Sequence, residues 1–285
     1  MLDSVKKDIS KNHLFGSVMI SYGVSCIVPR LGEIYRALFL GRWEKIPRAT
    51  VLGTIVVERI FDTTFFTLGM LISVFIYNGD LYKEVDWLRF TLVIGFGLVF
   101  LAVLIILLII RFQNKFINMI VGLTAKLNIK LSLKLKSVFE TLVDGFSTIK
   151  NGKYFLGITV WSLIIMLLYA FNTYVGFFMI NMHQHGKIDF TTAWIFMTLS
   201  AIGFIIPTPS GLGSYHALAI FTLVQLFNCD YDASAAYAIL THLIQTVCFV
   251  GSTIFILYYL NKKRVKQGLS KETFLSVLKS NPDSK

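Results

Sequence analysis

Three charged residues, Glu58, Arg59 and Asp62, stand inside residues 51–77, a run otherwise apolar enough to cross a bilayer. Glu58 and Asp62 are four apart and share one helical face, and Arg59 lies three before Asp62, within pairing reach. A charge at the bilayer centre costs at least about 2.5–3.5 kcal/mol on insertion scales, so keeping three of them demands compensation. Two arrangements provide it. One is a self-neutralising structural cluster that also pairs with Arg30 or Arg36. The other is a polar cavity in which Arg30, Arg36 and Arg59 meet a phosphate, while Glu33, Glu58 and Asp62 hold those arginines in place. Arginine suits the second because its planar fork binds phosphate oxygens bidentately.

Two proline-glycine breaks accompany the charges. The first, Val28-Pro-Arg-Leu-Gly-Glu33, ends the short apolar run 14–28. The second, Ile206-Pro-Thr-Pro-Ser-Gly-Leu-Gly213, ends the short run 190–206. Interrupted short hydrophobic segments at matching places in two halves point to a transporter binding site, and unwound backbone at membrane depth needs protein or a wet cavity beside it. Two ordinary surface loops are the plainer reading. Pro207, Pro209, Gly211 and Gly213 are expected to shape the second break, leaving the backbone N–H groups of residues 211–213 exposed as an anion seat at a helix start. Tyr215 and His216 follow directly. His242 and Gln245 share a face of the last span and either line the same cavity or hydrogen-bond across helices.

The elements that must position these groups follow from hydropathy. Hydrophobic residues make up 55% of the chain, charged residues only 15%, and mean hydropathy is +0.68. A soluble domain carries nearer a quarter charged residues. Residues 51–77, 90–110, 154–180 and 233–260 are long enough to span roughly 30 Å of hydrocarbon. Residues 190–206 and 214–227 are shorter, and read as two thin crossings or a re-entrant pair. The fold class is therefore all-α: a polytopic transmembrane helix bundle with Pro/Gly-broken, re-entrant helices and a candidate inverted repeat. Residues 1–260 form one transmembrane domain, and 261–285 a basic tail with a short helix.

Residues 111–153 differ. Lys115, Lys126, Lys130, Lys134, Lys136, Lys150 and Lys153 are spread among apolar residues, and 130–136 alternates with a period near two. One or two amphipathic helices along the membrane surface are expected. The 27 Lys+Arg against 16 Asp+Glu lie mainly between and after the apolar runs, which places the connector and tail on the cytoplasmic side and loops 78–89 and 181–189 outside. No basic-aromatic module indicates nucleic acid. Cys26, Cys229 and Cys248 have no metal spacing and read as small buried hydrophobes. His183 and His185, in an outer loop, lack the company a metal site needs. No metal or cofactor is expected, and no nucleophilic triad, nucleotide loop or dinucleotide fingerprint is present.

Taken in order, Val28-Pro-Arg-Leu-Gly-Glu-Ile-Tyr-Arg36, Gly53-Thr-Ile-Val-Val-Glu-Arg-Ile-Phe-Asp62 and Ile206-Pro-Thr-Pro-Ser-Gly-Leu-Gly-Ser-Tyr-His216 resemble the lysylphosphatidylglycerol synthase transmembrane-region family, also called flippase-like domain proteins. The resemblance covers about residues 22–259. It implies a membrane bundle with re-entrant elements that moves or presents a lipid-linked anion. It also implies two further spanning helices before the position of Met1. The soluble aminoacyl-transferase domain of some relatives has no counterpart here, so a synthase activity is not carried over. Ser210 stands where a glycine is common, and Ser25 near a usual asparagine.

The expected function is thus a flippase-like transporter in the cell inner membrane, with an anionic phospholipid or lipid-linked substrate as ligand. Its headgroup site is assigned to Arg30, Glu33, Arg36, Glu58, Arg59 and Asp62. The alternatives are a membrane-embedded transferase using Glu58 or Asp62 as base, and a non-catalytic scaffold for a separate envelope-lipid enzyme. A homo-oligomer is compatible with each. The topology has a direct check: a cysteine at Lys136, in an otherwise cysteine-free chain, reacts with a membrane-impermeant maleimide only after permeabilisation.

Overall fold

The computed structural model describes residues 2, 6–125, 129–145, 152–184, 188–268 and 270–279. All regular structure among them is helical: α1 (Lys11–Ile27), α2 (Leu31–Glu44), α3 (Arg48–Ile76), α4 (Leu81–Glu84), α5 (Leu88–Arg111), α6 (Gln113–Ala125), α7 (Ile129–Gly145), α8 (Gly152–Met179), α9 (Phe190–Ser200), α10 (Ser214–Phe221), α11 (Tyr231–Lys266) and α12 (Phe274–Lys279). Short 3₁₀ segments cover Met182–Gln184, Ala201–Ile205 and Pro209–Gly211, and a π-turn covers Thr222–Leu226. Four helices are long and apolar enough to cross a membrane: Arg48–Ile76, Leu88–Ile109, Tyr154–Met179 and Tyr231–Lys266. The chain is an all-α polytopic membrane bundle.

The first break turns a helical hairpin. α1 and α2 have 17 and 14 residues, about 25 and 21 Å at 1.5 Å per residue, less than the hydrocarbon thickness. They fold back through Arg30, which caps α2 in the left-handed region at φ 64°. The buried face of α1 is built from small residues, including Gly16, Ser17, Ser21 and Gly23, which lets neighbouring backbones come close. A Cβ at Gly32 would run into the Ser21 carbonyl, and one at Gly23 into Thr253 of α11. Thr253 Oγ1 in turn donates to the Met19 carbonyl at 2.8 Å, fixing α1 to the last span.

Apolar clusters join the remaining elements. Met70, Leu88, Leu92, Ile195 and Leu199 bind α3, α5 and α9. Phe177, Phe196, Ala219, Leu223 and Tyr237 bind α8 to α11. The connector forms two helices, α6 and α7, and α7 packs along α3. Residues 130–136 are helical despite their alternation, since Lys and Leu are good helix formers and the stretch holds no β-branched residue. Lys126 and Lys150 lie outside the described residues, as does His185. Loop 78–89 contains α4, capped by Asp80 accepting from the Tyr82 N–H at 3.2 Å, with Leu81 and Val85 buried.

The ends of the described chain are bound to α2. Glu44 is buried and takes Lys6 Nζ at 3.2 Å, His13 Nδ1 at 2.6 Å and the Ser10 N–H at 3.2 Å. Burial opposes its ionisation, but those three partners outweigh it and hold the carboxyl below its ordinary 4.5. α11 runs on to Lys266, 36 residues in all, about 54 Å and well beyond the bilayer core. Beyond it, Glu272 is buried against Arg42 Nε (2.9 Å) and Arg264 Nη1 (3.0 Å), and the Trp43 indole donates to it at 2.9 Å. Phe274 sits edge-on to Tyr35 and Phe39. The described part of the tail straps across α2. Cys229 is buried as expected, Cys26 is half-buried, and Cys248 is exposed on α11; all three are free.

The close crossing of α1 and α2 yields a stability test. Gly32→Ala lowers stability by about 1–3 kcal/mol through overpacking against backbone. Gly97→Ala, where an added Cβ meets nothing within 4 Å, leaves it unchanged. Thermal unfolding of the purified chain in detergent measures both.

Candidate functional site

α2 and α3 carry five of the six assigned charges on facing sides, and all five meet. Arg36 grips Glu58 with both ends of its fork, Nη1–Oε1 at 2.7 Å and Nη2–Oε2 at 2.9 Å. Arg59 Nη2 reaches Glu58 Oε1 at 2.9 Å and Asp62 Oδ2 at 2.9 Å, and its Nε faces Glu33 Oε1 at 3.5 Å. Glu58 therefore bridges the two guanidiniums. Two cations against three carboxylates leave this network one negative charge in excess.

Exposure grades across the network. The Arg36 and Glu58 side chains are 15% and 27% exposed, whereas those of Arg59 and Asp62 are 47% and 49%. Half-exposed charges at the middle of a spanning helix are costly against hydrocarbon. The less exposed Arg36–Glu58 pair is the foundation, and Arg59, Asp62 and Glu33 are the rim. Arg36 Nε is buried without a hydrogen-bond partner. Tyr22 of α1 and Tyr169 of α8 pair close to Asp62, and Tyr22 stacks on Phe249 of α11. The sequence reading missed both tyrosines. Tyr169 lies in an uninterrupted apolar span, where nothing in its spacing marks it.

Arg30 does not join. It is exposed at the hairpin tip and makes no ion pair among the described residues. Three arginines therefore do not converge on an empty seat. Two are engaged by carboxylates, and the third stands at the first break.

The second break is built differently from the expected anion seat. The Gly211 N–H donates to the Thr208 carbonyl (3.0 Å), the Leu212 N–H to the Pro209 carbonyl (2.9 Å) and the Gly213 N–H to His216 Nδ1 (3.2 Å). These donors are consumed inside the loop, so residues 211–213 offer no free row of N–H groups. The reason is backbone: Ser210, Gly211 and Gly213 adopt φ of 56°, 75° and 86°, which curls the loop onto itself. Ser210 thus occupies a left-handed position that favours glycine. His242 Nε2 donates to the Ser210 carbonyl at 2.7 Å, and Ser210 Oγ meets Thr246 Oγ1 at 3.1 Å and Cys26 Sγ at 3.6 Å. The loop is therefore seated against α1 and α11, close to the first break. Pro207 and Pro209 frame it, while Tyr215 stacks between Phe204 and His242. Gln245 is exposed on α11.

Among the described residues, no three His, Cys, Asp or Glu converge as metal ligands. The arrangement is a polar cluster within a polytopic helix bundle that also carries two helix breaks. The family model for the lysylphosphatidylglycerol synthase TM region matches residues 1–252, and the chain belongs to that family. The UPF0104 membrane protein MJ1595 of Methanocaldococcus jannaschii is 36% identical over 78 residues, 25% of this chain and 23% of that protein. The chain thus matches about a quarter of that curated relative's length. No solved structure matches.

The bidentate pair can be tested by asymmetry. Arg36→Met leaves a part-buried carboxylate with half its partners and costs up to about 3 kcal/mol, while Arg36→Met with Glu58→Met recovers most of that loss. Unfolding midpoints in detergent compare the two. Equal stability of the single variant and the parent refutes the foundation role.

Proposed function

We propose that the chain moves or presents a phosphate-bearing lipid, or a lipid-linked anion, between bilayer leaflets, using the α2–α3 network as the headgroup site. The observation that carries this reading is the grading of that network. A bidentate ion pair lies at its base, with a half-exposed Arg59 and Asp62 at its rim and a free-standing Arg30 at the adjacent break. Arg59 and Arg30 are the groups with donor capacity left for phosphate. Glu33 and Asp62 hold Arg59 in orientation. The excess carboxylate favours a headgroup that brings its own positive charge beside the phosphate. The reading places the protein in the cell inner membrane, with the 111–153 connector and the tail cytoplasmic, as the Lys/Arg distribution favours.

A second reading rests on the bidentate Arg36–Glu58 pair, which is the geometry of a structural clamp. In that case the charges stabilise the bundle and a partner envelope enzyme does the chemistry.

Leaflet exchange of labelled phospholipids in reconstituted vesicles separates the two. Loss of charge-assisted hydrogen bonds worth about 1.5–3 kcal/mol slows exchange roughly tenfold or more in Arg59→Gln and in Arg30→Gln. Parental rates in both variants support the clamp and overturn the transport reading.

A further inference from the structure

We infer that His216 and His242 form a proton-binding pair whose charge state sets the conformation of the second break, making the proton the ion coupled to movement of the substrate. The coupling rests on the transport reading above; the proton site does not.

Both imidazoles bind the same four-residue loop, and through opposite chemistry. A carbonyl oxygen only accepts, so His242 Nε2 carries a hydrogen toward Ser210 O at 2.7 Å. In the neutral ring its Nδ1 is then a lone pair. A backbone N–H only donates, so His216 Nδ1 is a lone pair toward Gly213 at 3.2 Å, and its proton sits on Nε2. The rings are 4.7 Å apart, centroid to centroid, and perpendicular. Burial, and then the neighbouring His242 ring, hold the His216 imidazole below its ordinary range, so its charged form is the less stable one at neutral pH.

Where the proton lands decides what the loop does. On His242 Nδ1 it leaves the bond to Ser210 intact. On His216 it can enter only at Nδ1, where it replaces the lone pair that holds the Gly213 N–H. The contact becomes donor against donor, the first turn of α10 loses its cap, and the left-handed turn at 210–213 is released. His216 is the half-exposed member and His242 is buried, so His216 is the ring open to protons from the aqueous side.

Few other groups can supply or hold a proton here. Tyr215 on α10, Tyr237 on α11 and Cys26 on α1 are the neighbouring titratable side chains. The segments Phe190–Ser200, Ala201–Ile205 and Thr222–Leu226, which also pack on α10, carry none. No Asp, Glu, Lys or Arg contacts either ring among the described residues.

Hydrogen exchange of the purified full chain, corrected for intrinsic exchange rates, reads the switch directly. As pH falls from about 8 through the histidine range and on to about 4, protection of the amides at 213–217 falls roughly tenfold or more as the cap opens. His216→Asn places an amide oxygen where Nδ1 was and cannot titrate, so its protection is independent of pH. His242→Gln keeps a donor for Ser210 O and retains the pH response. The same response in His216→Asn as in the parent, or no response in the parent, overturns the site. In vesicles, an imposed pH gradient accelerates lipid exchange in the parent and not in His216→Asn. Exchange that ignores the gradient while the local switch operates overturns the coupling alone. Absence of lipid movement under all conditions overturns the transport reading and the coupling with it, and leaves the hydrogen-exchange result to decide the proton site.

Discussion

Two guanidiniums and three carboxylates on adjacent helices, in the middle of an apolar bundle, are tolerable only if their partners stay within hydrogen-bonding reach. A charge at that depth costs several kcal/mol alone, and a pair recovers that cost only with good geometry. The requirement reaches well beyond the five side chains. α2 must lie close enough to α3 for Arg36 to close its fork on Glu58, and α2 is held from three sides. Gly32 lets it cross α1 in near-backbone contact, Glu44 binds the N-terminal segment, and Glu272 with Phe274 straps the tail across it. Much of the first half is thus organised around the position of one short helix.

The second half solves a different problem. The backbone between Ile206 and Ser214 is irregular, and irregular backbone at membrane depth needs internal partners. Its donors are satisfied by its own carbonyls and by His216, and its Ser210 carbonyl by His242. Contacts from Ser210 to Cys26 and Thr246 seat the loop on α1 and α11. Since α1 also forms the hairpin with α2, the two breaks share a wall.

Much of this was legible before any coordinates. Charges inside an apolar run are conspicuous, and helical spacing alone grouped Glu58, Arg59 and Asp62. The spans were readable because twenty apolar residues have few other uses. What escaped reading depended on tertiary seating. Donors at residues 211–213 looked free because nothing local says that three left-handed residues will turn them inward. Arg30 looked like a member of the cluster because its distance from Arg59 is set by a hairpin turn rather than by spacing. Nothing in the spacing marks Glu272 as a buried anchor, since its two arginine partners lie on α2 and α11. Residues 130–136 alternate like a strand, yet packing against α3 and the helix preference of Lys and Leu decide for helix.

The central claim is that the rim of the α2–α3 network binds a phosphate-bearing headgroup. Native mass spectrometry of the full chain, released from membranes in mild detergent, tests it most directly by identifying retained lipids by headgroup. The account predicts that phosphate-bearing lipids remain on the parent protein and are lost from a folded Arg59→Gln variant. Equal retention of the same lipids by both proteins contradicts it.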